Sequence, residues 1–252
     1  MDMNDPRFRI AAARRMLARA DCDSGVAGHV SERVKGEDAF WVSPFGYFDE
    51  TTPDMVVKLS FGLDRLSGDW EPSPAVQFHA AIYDQRPDVG AIIHTHSFWV
   101  SVFATKPRTI GMYNVASVLF WDNQVLHEDD GTKAPVQGKE LAAELGDKGV
   151  VLIKNHGAII ASDTLEHATI EAMMLERAAR FHLEAERIGG TEFPEAEVLR
   201  GREKYRQHFL PQMWAANMRR LRRSDPDLFE ALDTPQEAAV SPTVDARDGA
   251  SR

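Results

Sequence analysis

Two stretches, AIIHTH at Ala91–His96 and KNHG at Lys154–Gly157, decide how the rest of this sequence is interpreted. The apolar run before the first histidine predicts a buried strand. Side chains at positions i and i+2 of a strand point to the same face, so His94 and His96 are expected to lie together. The second stretch follows the apolar run GVVLI, which places His156 just after another predicted strand.

Three imidazoles at the ends of rigid strands favour a divalent metal site. Neutral imidazole binds zinc, iron, copper and nickel, and a catalytic site needs only three protein ligands and an open position. An HxH pair alone is more often a structural feature, so the second motif matters. Its Gly157 allows the backbone to approach closely beside a ligand. Spacing alone leaves the metal-binding and the structural interpretations both open.

The composition limits the class of partner. The chain has 252 residues, of which 43% are hydrophobic, and a formal net charge of -10. This length fits one large domain or two small ones. The acidic balance argues against nucleic acid and against an anionic membrane surface, and no apolar run approaches the roughly 18 residues of a membrane span. The single Cys22 and the polar N-terminus predict a cytoplasmic protein.

The hydrophobic periodicities predict one α/β domain, with a central, mostly antiparallel sheet flanked by helices. This domain is expected to cover residues 1–229. The remainder, 230–252, is rich in Ala, Pro, Asp and Thr and has no periodicity, so it is expected to be a disordered tail.

Local patterns predict two helices and two strands of this domain. A helix is predicted from Ser73 to Arg86, with Ser73 as its N-cap. The longest helix is predicted at Thr164–Ile188, before a Gly-Gly stop. Strands are predicted at Thr109–Tyr113 and Ser117–Trp121.

The order and spacing of the motifs resemble the class II aldolase/adducin superfamily, of the fuculose- and ribulose-phosphate aldolase type. The resemblance runs from about Ile10 to Phe209 and rests on AARRMLARAD, GHVSER, SPFGYF, HAAIYDQRPDVGAIIHTH and KNHG. In that family the HxH pair and the later histidine bind a divalent metal, usually zinc. The resemblance therefore implies one divalent metal ion per chain, Zn²⁺ or Fe²⁺, on His94, His96 and His156.

The chain departs from the family pattern where family aldolases place their acid–base carboxylate and their phosphate ligands. The glutamate of the family's SSE-type motif corresponds to Ala75. Residues of the phosphate cradle, an Asn, a Thr or Ser, and a second Ser, correspond to His29, Phe45 and Pro74. Phosphate is bound by N–H groups, hydroxyls or cations. Since Phe and Pro side chains supply none of these, the substrate is expected not to be a sugar phosphate.

The other predicted site residues are polar or aromatic. The resemblance matches Tyr113 to a tyrosine that a neighbouring subunit donates as proton donor; a strand tyrosine with a solvated hydroxyl is the alternative. His29 is the second candidate catalytic group, and a plain turn histidine is its alternative. The candidate substrate-binding residues are Phe45, Tyr47, Ser73 and Phe98. The aromatic rings favour a flat or apolar substrate, although each ring alone is more often part of a core.

Three functions remain as hypotheses. The first is a metal-dependent decarboxylase or retro-aldol lyase that acts next to a chelating 2-oxo or 2-hydroxy acid, non-phosphorylated and aromatic. The second is an Fe²⁺- and O₂-dependent oxidative decarboxylase of a 4-hydroxyphenylpyruvate- or mandelate-type substrate, as in the aminocoumarin-pathway subgroup of the superfamily. The third is a non-catalytic, adducin-like interaction module, against which the three histidines weigh. The resemblance also implies a homo-oligomer, a tetramer in family aldolases.

Overall fold

The computed structural model describes residues 1–128 and 134–233. These residues form eight α-helices and eight strands. The helices are α1 (Pro6–Ala18), α2 (Gln77–Gln85), α3 (Phe98–Phe103), α4 (Ala134–Leu145), α5 (Leu165–Arg187), α6 (Glu195–Lys204), α7 (Leu210–Ser224) and α8 (Pro226–Asp233). The strands are β1 (His29–Arg33), β2 (Ala39–Val42), β3 (Val57–Ser60), β4 (Arg65–Ser67), β5 (Ala91–Thr95), β6 (Gln124–His127), β7 (Val150–Ile153) and β8 (Gly157–Ser162).

All eight strands belong to one sheet, in the order β4-β3-β2-β1-β5-β8-β7-β6. Every neighbouring pair is antiparallel except β6 and β7, which run parallel. The predicted α/β fold with a mostly antiparallel sheet is therefore confirmed. Because β5 pairs with β1 on one side and β8 on the other, the predicted metal-binding motifs lie on neighbouring strands.

Hydrophobic cores cover both faces of the sheet, which explains why its central strands are apolar at consecutive positions. Ile93 of β5 packs into the core formed with α1, α3, α5 and α7. Its neighbour Ile92 points to the opposite face, into the core beneath α2 and α4. The predicted long helix is present as α5, where the Thr164 hydroxyl accepts a hydrogen bond from the N–H of His167 at 3.2 Å.

The helix predicted from Ser73 begins later, at Gln77, so Ser73 is not its N-cap. The Ser73 hydroxyl instead accepts a hydrogen bond from the N–H of Ala75, at 3.3 Å, within a turn. Before this turn, Pro72 forms an isolated antiparallel bridge with Pro44, which follows β2. That pairing keeps the segment extended up to the turn and delays the helix, and it places the turn beside the loop after β2.

The strands predicted at Thr109–Tyr113 and Ser117–Trp121 are wrong. The first segment is irregular because side chains form hydrogen bonds with its backbone groups. The Gln124 side-chain amide donates to the carbonyl of Ile110 and accepts from the N–H of Ile110. The second segment is a short 3₁₀ helix. The edge strand β6, which the sequence pattern did not indicate, pairs with β7 instead.

The helices and the C-terminal residues bear on two further predictions, a chain without membrane spans and a disordered tail. No helix within 1–128 and 134–233 is long and apolar enough to cross a membrane. The tail predicted at 230–252 overlaps the last four residues of α8, which are helical. The remainder, 234–252, lies outside the described residues, so its disorder stays a prediction.

Candidate metal centre

The three predicted histidines converge at one end of β5 and β8. His94 is on β5, His96 follows it, and His156 is in the turn between β7 and β8. The Nε2 atom of His96 lies 2.8 Å from Nε2 of His94 and 2.9 Å from Nε2 of His156. One ring nitrogen from each residue lies within 4.8 Å of the others. Three nitrogens gathered in this way are a suitable donor set for one ion.

The backbone selects the tautomer of His94 that metal binding requires. Its Nδ1 atom lies 2.9 Å from the carbonyl oxygen of Ala158. Because a carbonyl only accepts, Nδ1 carries the hydrogen, and the lone pair of Nε2 faces the other two rings. Metal-binding histidines usually donate from their second nitrogen in this manner. The residues present therefore fit a divalent ion, and imidazole donors suit both Zn²⁺ and Fe²⁺.

Burial keeps two of these rings neutral. Burial, with a smaller contribution from the neighbouring His156 ring, lowers the pKa of His96 to about 4. Burial also lowers the pKa of His94 well below its usual value, and His29 adds to the effect. Only a neutral imidazole has a lone pair to offer a metal. Both residues are therefore in the metal-binding protonation state at neutral pH.

Gly157 is required by close packing against β5. A Cβ added there would lie 2.3 Å from the carbonyl oxygen of Thr95 and 3.0 Å from Cδ2 of His96. The close approach expected from the KNHG motif is therefore present. In the same turn Asn155 has φ of 55°, a left-handed conformation that Asn tolerates better than most residues. The left-handed backbone conformation of Asn155 was not predicted from the sequence.

The loop before β1 holds the end of β5 from the other side. The Ser24 hydroxyl oxygen accepts a hydrogen bond from the N–H of His96 at 2.6 Å. A Cβ added to Gly28 would lie 2.9 Å from the carbonyl oxygen of His94. Both contacts position the backbone that carries the HxH pair. No sequence motif indicated this contact between Ser24 and His96, because the two residues are 72 positions apart.

His29 reaches the centre from β1, where it is paired directly with His94. The two ring centroids are 5.0 Å apart, and the His29 ring is fully buried. Its Nδ1 atom lies 2.7 Å from Nε2 of His79, whereas its Nε2 atom has no hydrogen-bond partner among the described residues. His29 is thus the first residue of a buried strand beside the predicted ligands, and not a turn histidine.

Phe45 and Tyr47 lie on the loop after β2, next to the turn that contains Ser73. The backbone N–H of Phe45 donates to the carbonyl of Glu71 at 2.8 Å. The Phe45 and Tyr47 side chains are 45% and 55% exposed, whereas Ser73 is buried. The bridge between Pro44 and Pro72 brings this loop and this turn together. Within the described residues, no hydrogen bond or ring contact joins Phe45, Tyr47 or Ser73 to His94 or His96. Their substrate-binding role stays a prediction.

Phe98 and Tyr113 have ring contacts with other residues, and in the described part of the chain neither has a hydrogen bond or ring contact with His94 or His96. Phe98 is 65% exposed and lines, with Trp99, a groove of about 1000 Å³ whose lining does not include those histidines. The Tyr113 ring packs against His182, with centroids 4.7 Å apart. The resemblance assigned Tyr113 to a neighbouring subunit's site, which a single chain does not test, so both roles stay predictions.

Arg14 holds the loop that carries Phe45, a role that an arginine in an apolar helix did not indicate by itself. Its fully buried guanidinium donates to the carbonyls of Pro44 and Gly46, both at 2.6 Å. It also lies 4.2 Å from the centroid of the Phe48 ring. Burial lowers the pKa of Arg14 to about 9, so the guanidinium remains charged at neutral pH.

We expect Arg14→Met to lower the free energy of unfolding by about 3 kcal/mol, because two buried carbonyls lose their donor at about 1–3 kcal/mol each. Urea denaturation followed by circular dichroism measures the change. Arg187→Met is the matched control, since that side chain is 79% exposed, and its effect should stay within about 0.5 kcal/mol. Equal stabilities of the two variants would contradict the role assigned to Arg14.

A protein-family model, the Class II Aldolase and Adducin N-terminal domain, matches residues 8–183 of this chain. The chain belongs to the class II aldolase and adducin family. One relative, the 4-hydroxy-3-prenylphenylpyruvate oxygenase/4-hydroxy-3-prenylbenzoate synthase of Streptomyces roseochromogenus subsp. oscitans, is 29% identical over 201 residues, 77% of this chain and 73% of the relative. The decarboxylase NovR of Streptomyces niveus is also 29% identical over 201 residues, 77% of this chain and 74% of NovR.

The class II aldolase fold is confirmed by a solved structure. L-fuculose 1-phosphate aldolase from Glaciozyma antarctica PI12 superposes with a TM-score of 0.78 at 22% identity, over 89% of this chain and 91% of that one. At this identity the likeness concerns the fold alone. The names of class II aldolase relatives include decarboxylase, aldolase and oxygenase. At the level of the family, they support lyase or decarboxylase chemistry.

Proposed function

We propose that this class II aldolase-family chain is a metal-dependent enzyme that cleaves a carbon–carbon bond next to a metal-chelating 2-oxo or 2-hydroxy acid. The observation that carries the proposal is the convergence of the Nε2 atoms of His94, His96 and His156. These three residues would hold one Zn²⁺ or Fe²⁺ ion per chain. When bound, such an ion supplies Lewis-acid polarisation of a carbonyl group. Decarboxylation and retro-aldol cleavage both use that polarisation.

The substrate is proposed to be non-phosphorylated and aromatic. At two positions of the family's phosphate cradle, Phe45 has its backbone N–H bonded to the Glu71 carbonyl, and Pro74 has no N–H. The half-exposed rings of Phe45 and Tyr47 would instead cover a flat ring. The name of the Streptomyces roseochromogenus relative, a 4-hydroxy-3-prenylphenylpyruvate oxygenase, supports an aromatic 2-oxo acid as the substrate class.

Two residues of the chain are proposed to act on the substrate's polar groups. His29 is buried beside His94, with a free Nε2 edge among the described residues. Tyr113 would act from a neighbouring subunit, which requires a homo-oligomer with sites at subunit boundaries. Either residue would replace the acid–base group that Ala75 does not provide. Where Tyr113 supplies this group, turnover would depend on assembly, by resemblance into a homotetramer.

Inorganic phosphate is expected to leave turnover unchanged, because the cradle lacks its phosphate ligands. The test measures initial rates of carbon dioxide release from aromatic 2-oxo and 2-hydroxy acids, with and without millimolar phosphate. Chloride at the same ionic strength is the control, since general screening would affect both salts alike. Competitive inhibition by phosphate alone would contradict the proposal and favour a sugar-phosphate aldolase.

Metal content distinguishes the lyase from a second candidate function, an iron- and O₂-dependent oxidative decarboxylase. The oxygenase named among the 29% identical relatives favours that second candidate. The experiment is elemental mass spectrometry on protein purified without oxygen or chelator. Zinc or manganese near one per chain supports the lyase, whereas iron together with O₂ uptake on aromatic 2-oxo acids supports the oxygenase. Absence of metal would contradict both and leave the adducin-like interaction module.

A further inference from the structure

A chain of hydrogen-bonded side chains runs from His29 into the core behind it. Nδ1 of His29 lies 2.7 Å from Nε2 of His79, whose Nδ1 lies 2.6 Å from Oγ of Ser31. The Ser31 oxygen lies 2.8 Å from the hydroxyl oxygen of Tyr83. All four side chains are buried, none more than 1% exposed. No step of this chain therefore faces solvent.

The spacing of the four residues on β1 and α2 explains why they form one continuous series of hydrogen bonds. His29 and Ser31 are separated by two positions on β1 and share the face of the sheet beneath α2. His79 and Tyr83 are separated by four positions on α2 and lie one turn apart on its inner face. The two residues of β1 face the two residues of α2, so each hydrogen bond joins one residue of β1 to one residue of α2.

The Tyr83 end of this hydrogen-bonded series determines which atom is the donor in each bond. Among the described residues, Ser31 Oγ is the one acceptor bonded to the Tyr83 hydroxyl. A buried hydroxyl without an acceptor would cost about 1–3 kcal/mol. Tyr83 therefore donates to Ser31, and the single hydrogen of Ser31 is left for Nδ1 of His79.

Each following ring then has only one tautomer. A neutral imidazole carries one hydrogen, and His79 accepts at Nδ1, so it donates from Nε2 to His29. His29 in turn accepts at Nδ1 and carries its hydrogen on Nε2. That nitrogen is the buried atom without a partner among the described residues, in the ring that packs against His94. The hydrogen-bonded series thus ends in an N–H donor on the ring whose centroid lies 5.0 Å from that of His94.

We propose that Tyr83, Ser31 and His79 are positioning residues that make His29 a hydrogen-bond donor at this centre and prevent it from becoming a fourth metal ligand. A ligand nitrogen needs a lone pair, which Nε2 lacks in this tautomer. The donor suits an oxygen of a chelating acid, such as its carboxylate. The chemistry of this acid rests on the proposed function, whereas the order of the hydrogens does not.

Neutron diffraction from deuterium-exchanged, zinc-loaded crystals tests the order of the hydrogens directly. The expected map shows deuterium on Nε2 of His29 and of His79, none on their Nδ1 atoms, and zinc bound by three imidazoles. Deuterium on Nδ1 of His29, or His29 bound to zinc, would overturn the proposal. Crystals that take up no zinc would contradict the proposed function instead, and their deuterium positions would still decide the tautomer.

Oxalate binding to the zinc-loaded protein, measured by calorimetry, tests the positioning role. Ser31→Ala is expected to retain one zinc per chain but to raise the Kd for oxalate about 5- to 10-fold, because the hydrogen order is no longer imposed on His29. Ser43→Ala is the matched control. This buried serine accepts a hydrogen bond from the backbone N–H of Val30 and takes no part in the series from His29 to Tyr83. Its Kd should stay within about 2-fold.

Equal oxalate affinities of Ser31→Ala and the wild type would overturn the positioning role. If Ser31→Ala does not fold, Tyr83→Phe replaces it, since that change keeps the ring and removes only the terminal donor. It is expected to raise the oxalate Kd in the same direction. Wild-type protein that binds zinc but not oxalate would contradict the acid chemistry of the proposed function, and the neutron map would still test the tautomer.

Discussion

Replacing His94 with alanine is expected to lower zinc affinity more than about 100-fold and to abolish turnover. Loss of a residue that only supports a ligand already costs about 10- to 100-fold in metal affinity, and His94 contributes the nitrogen itself. Its Nε2 lies 2.8 Å from that of His96, and its Nδ1 is bonded to the backbone of β8. Elemental mass spectrometry after dialysis against a zinc buffer, together with competition against a chelator of known affinity, measures the loss.

His208→Ala is the control for His94→Ala, because His208 is an exposed histidine outside the sheet. Its zinc content should equal that of the wild type. Circular dichroism of both variants separates loss of metal from loss of the fold. If His94→Ala retained one zinc per chain and full activity, the assignment of the metal centre would be wrong.

Gly157→Ala is expected to have the second largest effect, because it acts on the backbone and on a ligand at once. The added Cβ would lie 2.3 Å from the carbonyl oxygen of Thr95, so β5 and β8 must separate at this end. Overpacking of this kind costs about 1–3 kcal/mol. The same Cβ would lie 3.0 Å from Cδ2 of the His96 ring. Displacement of that ring should weaken zinc binding about 10-fold or more.

Urea denaturation and chelator competition measure the two effects of Gly157→Ala separately. Gly62→Ala is the matched control, because a Cβ added there makes only ordinary contacts, at 3.4 Å and beyond. It should leave both zinc affinity and stability close to those of the wild type. An unchanged zinc affinity in Gly157→Ala, despite lower stability, would show that the glycine serves the sheet and not the metal centre.

The position of the centre could be predicted from the sequence because its signals are local. Two imidazoles at i and i+2 after an apolar run lie on one face of any strand, and the structure places His94 and His96 in this way. The glycine after His156 indicated a close backbone approach, which is found at Thr95. The motif order also identified the family, and the fold followed from it.

Predictions failed where backbone groups are satisfied by distant side chains. Residues 109–113 have the composition of a strand, yet Gln124, His182 and Glu192 bond their backbone and keep them out of the sheet. The start of α2 moved for a similar reason, because Pro72 pairs with Pro44. Periodicity within a window contains no information about such partners, so these segments were misassigned.

The sequence by itself determined the α/β class, the apolar strands, and the residue types that could bind a metal, because strand alternation, helix periodicity and imidazole chemistry are properties of neighbouring residues. Only the tertiary structure decided which groups surround those histidines. Ser31 lies 48 positions before His79, and Arg14 lies 30 positions before Pro44. Sheet pairing and helix packing bring such residues into hydrogen-bonding distance, and the direction of each bond then depends on donors and acceptors that are far apart in the chain.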